Sequence, residues 1–173
     1  MKSVLISIRP KWCELIASGK KTIEVRRTRP TIAVPFKCYI YETQGRYEDM
    51  RDCKTFKFWD IRQKVIGEFV CDLITGLRAD NGIQIYYNGI KGTCLSDVEI
   101  IKYAGGKKVY YWHISELKIY DKPKELGEFK KINRHCWYAD LGLAKRDCPK
   151  CKNADCFVSR PPQSWCYVEE AKK

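Results

Sequence analysis

The chain has 173 residues, with 33 Lys+Arg against 21 Asp+Glu, 10 Cys and only 2 His. A content of 45% hydrophobic and 31% charged residues excludes wholesale disorder, and no apolar run approaches the roughly 18 residues needed to span a bilayer. The formal net charge of +12 favours an anionic partner, with nucleic acid first.

The predicted elements begin with a short β-branched strand over residues 4–8. Pro10 suits the first turn of a helix, Trp12, Leu15 and Ile16 fall at helical spacing, and Gly19 marks its stop. Residues 22–26 alternate as a second strand, with Ile23 and Val25 on one face and Thr22, Glu24 and Arg26 on the other. Residues 36–41 form an aromatic strand, 44–63 a long connection, and 65–77 a strand bent near Gly67. Asn81-Gly82 and Asn88-Gly89 are turn signals. Ser96 caps a short helix over 97–103 that Gly105-Gly106 stops. Residues 109–120 form another long strand, and 165–168 a last one. This order has too few helices for a doubly wound sheet. It predicts an α+β fold, a small mixed β-barrel with helices at its rim.

Charge and cysteine are unevenly spread. Residues 1–64 hold 15 Lys+Arg and 7 Asp+Glu, a net of +8, so two-thirds of the excess lies in the first third of the chain. The first apolar stretch is too short for a secretory signal and no small-residue cleavage site follows it, so a cytoplasmic protein with reduced thiols is expected. Cys13, Cys38, Cys53, Cys71 and Cys94 stand among apolar neighbours and read as packed thiols. The other five fall within the last 38 residues. That shift divides the chain into a barrel domain, 1–135, and a Cys-rich irregular extension, 136–173, packed on it.

Gly19-Lys20-Lys21-Thr22-Ile23-Glu24-Val25-Arg26 fits G-x-K-x-x-E-x-R, between an amphipathic helix and a strand. This arrangement resembles the ASCH domain family of the PUA-like superfamily of small barrels, in a phage or bacterial form with a Cys-rich extension. The resemblance implies a cleft between barrel and first helix that takes RNA or modified nucleobases, with Gly19 in the turn and Lys21, Glu24 and Arg26 facing the ligand. The residue chemistry agrees. Lys21 and Arg26 can meet a phosphate or base carbonyl, and Glu24 can accept from an exocyclic amine. Trp12, Tyr39, Tyr41 and Trp112 are stacking surfaces for an unpaired base or, alternatively, core. Lys21, Glu24 and Arg26 can equally form an internal ion network bracing the turn. Arg9, Lys11, Arg27 and Arg29 supply phosphate contacts, and Thr22 belongs to the same binding set.

Whether the site turns over a substrate is left open. Some ASCH proteins hydrolyse acetylated cytidine and others are ribonucleases. That resemblance would make Lys21 and Glu24 catalytic, but Glu24 stands where the amidohydrolase branch has Thr, and Asp97 and Glu99 offer no clear distal carboxylate. His113 reads as a core or edge residue, and Cys13 as an inert thiol.

In the tail, Cys148-Pro-Lys-Cys151 is a C-x-x-C knuckle with Cys156 nearby. Up to four of Cys136, Cys148, Cys151, Cys156 and Cys166, or His135 in place of one, would hold a structural zinc; free thiols are the alternative. Arg160-Pro-Pro-Gln-Ser leads to the final strand, expected at the barrel edge, and brings Gln163 or Trp165 towards the cleft or serves as a peripheral strap. The resulting reading is a protein that binds RNA, other single-stranded nucleic acid or a modified nucleoside, with no membrane role. A hydrolase acting on an acylated nucleoside or RNA and a protein-interaction module are its rivals.

Overall fold

A computed structural model describes residues 2–44, 63–78, 91–132 and 157–170. Nine strands and two α-helices are described: β1 (Ser3–Ile8), α1 (Pro10–Ala17), β2 (Ile23–Arg26), β3 (Phe36–Glu42), β4 (Val65–Cys71), β5 (Ile74–Arg78), α2 (Asp97–Ala104), β6 (Lys108–His113), β7 (Ser115–Lys124), β8 (Phe129–Lys131) and β9 (Trp165–Glu170). A 3-10 turn, Leu126–Glu128, precedes β8.

The two helices form where local signals ask for them. In α1, Pro10 takes the first turn, where its missing N–H costs nothing. Gly19 follows at φ 72°, a left-handed position that a side chain would strain. In α2, Ser96 and Glu99 close a reciprocal capping box, and Gly105 ends the helix at φ 57°. No helix among the described residues is long and apolar enough to cross a membrane.

The strands make two sheets. The larger has the order β7-β4-β3-β1-β9-β8, and the smaller β2-β6-β5. β1 and β3 are parallel, so the chain must cross over between them, and α1 lies in that crossover. β1 is buried along its whole length because both faces of its sheet are covered. Val4, Ile6 and Ile8 join Cys38, Ile40, Phe69 and Trp112 in one core on the α1 side. Leu5 joins Tyr39, Tyr41, Phe129 and Val168 in a second core on the other side. A third cluster packs Ile100 and Ala104 of α2 on Val25, Val109 and Tyr111 of the small sheet.

Residues 65–77 and 109–120 are not continuous strands. Both break at one corner: β4 and β7 pair in the large sheet, while β5 and β6 continue as a pair in the small one. At that corner the His113 N–H donates to the Leu73 carbonyl at 2.9 Å, and His113 Nδ1 lies 2.7 Å from Asp72 Oδ1. His113 is thus a half-exposed corner residue rather than a core one. The α+β class stands, but the described strands form two sheets sharing a bent hairpin, not a closed ring. The final strand also lies deeper than expected: β9 pairs with β1 on one side and β8 on the other, which leaves β8 at the edge. The connection at 44–63 lies almost wholly outside the described residues, and the turns at 81–82 and 88–89 wholly outside.

Candidate nucleotide-binding cleft

Between the end of β1, the start of α1 and the inward face of β2 lies a cleft of about 620 Å³. Small-molecule sites typically span roughly 300–1,000 Å³, so a nucleotide fits. Ser7, Ile8, Arg9 and Trp12 line it from β1 and α1, and Lys21, Glu24, Val25 and Arg26 from the turn and β2. Leu95 and Tyr103 come from the α2 region, Thr43 from the end of β3, and Pro161 to Ser164 from the segment before β9.

Strand alternation places the motif. Val25 faces α2, so Glu24 and Arg26 point the other way, into the cleft. Lys21, Glu24 and Arg26 are 2%, 7% and 9% exposed. Glu24 bridges the two cations, with Oε2 3.3 Å from Lys21 Nζ and Oε1 3.0 Å from Arg26 Nε. Lys21 Nζ also donates to the carbonyls of Ile23 and Thr93, each at 2.8 Å. Lys21 Nζ is thus held by two carbonyls and paired with one carboxylate, in a position almost closed to solvent. The internal network and the cleft lining are one arrangement, not alternatives. The Arg26 Nε–H is not aligned on Glu24, so that contact is an ion pair without a hydrogen bond.

Neighbouring backbone holds this floor. Thr22 and Ile23 N–H both donate to the Gly92 carbonyl at 2.9 Å. A Cβ on Gly92 would sit 2.4 Å from Thr22 Oγ1, so any larger residue would have to push the Thr22 and Ile23 side chains aside. The opposite wall is fastened by Arg26 and Ser7. Arg26 Nη2 donates to the Ser7 carbonyl at 2.5 Å, and Nη1 to Ser164 Oγ at 3.4 Å. The Ser7 hydroxyl donates to the Pro162 carbonyl at 2.6 Å, and its N–H to the Ser164 carbonyl at 2.9 Å.

Of the residues expected at the site, Arg9, Trp12, Lys21, Glu24 and Arg26 meet in the cleft, and so does Gln163. Lys11 is exposed beside it, with Nζ 5.2 Å from the centre of the Trp12 ring, and Lys21 Nζ is equally close. Gly19 and Thr22 are exposed and shape the turn without lining the cleft. Arg27 packs instead on Tyr103, its guanidinium 4.9 Å from the ring centre, and Arg29 lies 5.8 Å from the Tyr110 ring.

Trp112 is a correction. It is fully buried, packed on Phe36 and Trp165, and presents no face to a ligand. It stands opposite Glu24 on β6, where the central core closes over it. Tyr39 and Tyr41 are likewise buried, on the far face of the large sheet. Trp165 donates its indole N–H to Thr28 Oγ1 at 3.0 Å and does not line the cleft. Glu99 is committed to its cap: hydrogen bonds from the Ser96 backbone and hydroxyl hold its carboxyl below the usual range.

Ser7, Thr43, Leu95, Tyr103 and the Pro161–Pro162 pair were not legible as site residues, because none lies in the motif. Cys136, Cys148, Cys151, Cys156 and His135 fall outside the described residues. Cys166 is half-buried in β9, and burial pushes its thiol up to about 11. Among the described residues no group of three or more His, Cys, Asp or Glu side chains is gathered for a metal.

The ASCH domain model matches residues 6–103. Crystal structures of the ASCH protein of Zymomonas mobilis are similar in fold. One of a point mutant shares 22% identity, covers 98% of this chain and 91% of the other, and has a TM-score of 0.58. Another shares 21% identity over 96% of this chain and 87% of the other, again with a TM-score of 0.58. No curated protein matches the chain.

Proposed function

The chain belongs to the ASCH domain family, and on that basis we propose that its cleft binds single-stranded RNA or a modified nucleotide. The carrying observation is the make-up of the cleft. The half-buried Trp12 ring stands beside Arg9 and Lys11, above a floor of two cations and one carboxylate, in a space of nucleotide size. An aromatic face takes a base of any identity, and the surrounding cations take the phosphate. The two sheets with their shared corner correspond, in this reading, to a PUA-like barrel. The commitment of Lys21 to two carbonyls and Glu24, and of Glu99 to its cap, counts against the hydrolase.

The test is fluorescence anisotropy of a labelled single-stranded RNA. Affinity should fall steeply between about 50 and 200 mM salt. Arg9→Ala should weaken all sequences alike and lower the salt slope by about one. Affinity indifferent to salt would sink the phosphate part of the reading. Acetate released from acetylated cytidine would move it to a hydrolase. Recovery of one protein and no nucleic acid from a native pull-down would move it to an interaction module.

A structural zinc on four of the five tail cysteines, Cys148 and Cys151 among them, is a separate part of the proposal. Elemental analysis of the native protein checks it: one zinc per chain supports it, and none overturns it.

A further inference from the structure

Most groups on the floor of the cleft already hold neighbouring chain, though the Arg26 Nε–H makes no hydrogen bond. Lys21 donates to two carbonyls, and Glu24 has one oxygen paired with Lys21 and the other with Arg26. Both terminal nitrogens of Arg26 and the Ser7 hydroxyl hold neighbouring chain. A base cannot displace these contacts without leaving buried charge uncompensated. The walls carry the polar side chains least tied to the rest of the chain.

Gln163 differs from the other wall residues. It lines the cleft, is exposed, and its side chain has no hydrogen-bond partner among the described residues. Its backbone is clamped on both sides, because Ser7 holds the Pro162 carbonyl through its hydroxyl and the Ser164 carbonyl through its N–H. Two prolines in succession restrict the approach further. The fixed backbone keeps this side chain at the cleft, and its polar atoms are uncommitted to the described chain. The hydroxyls of Thr43 and Tyr103 rotate to donate or accept, and Arg9 only donates. A carboxamide presents an acceptor and a two-proton donor side by side in one plane.

We propose that Gln163 is the specificity-determining residue of the cleft, its carboxamide reading the hydrogen-bonding edge of an unpaired base stacked on Trp12. The inference rests on the nucleotide-binding reading above. It lies outside the matched family span, which ends at residue 103. The base can belong to a single-stranded RNA or to a free nucleotide.

The experiment titrates the full chain, Gln163→Ala and Gln163→Glu with short homopolymers of adenosine, cytidine and uridine. The corresponding nucleoside monophosphates are titrated in parallel, and the two probe sets distinguish the sources. The unmodified chain should prefer one base. Gln163→Ala should lose most of that preference, roughly three- to tenfold for a lost hydrogen bond, with unchanged melting temperature and salt slope. Gln163→Glu only accepts, so it should shift preference towards cytosine and adenine, whose exocyclic amines donate. A base preference unchanged in both variants, or absent from the unmodified chain while it still binds, overturns the assignment and leaves nucleotide binding standing. If the unmodified chain binds no RNA and no nucleotide, both readings fall.

Discussion

The Ser7 hydroxyl donates to the Pro162 carbonyl at 2.6 Å, across 155 positions of sequence. Ser7 lines the cleft near the end of β1, and Pro162 belongs to the wall that precedes β9. One buried hydroxyl thus joins the first strand of the fold to the segment that leads into its last.

Ser7→Ala removes that bond and leaves a carbonyl to find water. A loss of about 1 kcal/mol in urea unfolding is expected. The local consequence is larger: amide hydrogen exchange at 163–165 should quicken well beyond that of β1. Equal protection in the two proteins would show that β9 pairing alone fixes the wall.

Glu24→Gln keeps the shape of the floor and removes the charge between Lys21 and Arg26. Both cations would remain buried without a carboxylate, so a loss of about 3–5 kcal/mol is expected. Adding Lys21→Met should recover part of it, since the remaining arginine still reaches the Ser7 carbonyl. A melting temperature unmoved by Glu24→Gln would show the three groups to be hydrated and loosely held.

On the far face of the large sheet, Tyr120 donates to Glu68 and Tyr39 donates to Glu170. Burial alone would raise both carboxyls. Hydrogen bonds from Tyr120 and Lys37 outweigh it at Glu68, those from Lys124 and Tyr39 outweigh it at Glu170, and both are held below the usual range. A depressed carboxyl gives stability above its unfolded value of about 4.3 that is lost as pH falls through the folded value. Acid unfolding should therefore begin below about pH 4. It should be blunted in Glu68→Gln, whose stability at neutral pH is lower. Burial also pushes the Tyr39 and Tyr120 hydroxyls up, with the neighbouring carboxylates adding to it. A second loss should follow as pH rises past the unfolded tyrosine value of about 10. Circular dichroism against pH would reveal both limbs, and a flat acid limb would contradict the Glu68 and Glu170 assignments.

Gly19→Ala meets no atom within 4 Å, so any cost is backbone strain at φ 72°. About 1–2 kcal/mol is expected. Gly19→Asn, which tolerates this conformation better, should cost less, and equal losses would place the effect elsewhere.

How far each feature could be read depends on the reach of its cause. Pro10, Gly19, Ser96 and Gly105 act within one helical turn, and both helices appear where these residues put them. The alternation of β2 placed Glu24 and Arg26 together on one face. The corner at Leu73 and Ile114 left no such mark. Both residues suit strands, and what bends the chain is that β4 and β5 find partners in different sheets. Trp112 could be a stacking surface or core by type alone, and the closure of Phe36 and Trp165 over it made it core.

By itself, then, the sequence determined the helix boundaries, the basic excess of the first third and the motif that carries family membership, because each rests on neighbours a few residues apart. Tertiary structure alone decided that the motif's charges satisfy one another, that β9 lies inside the sheet and that 161–164 wall the cleft. Those facts depend on contacts such as Ser7 to Pro162 and Arg26 to Ser164, whose partners are brought together only when burial of the β1 faces draws β9 into the sheet.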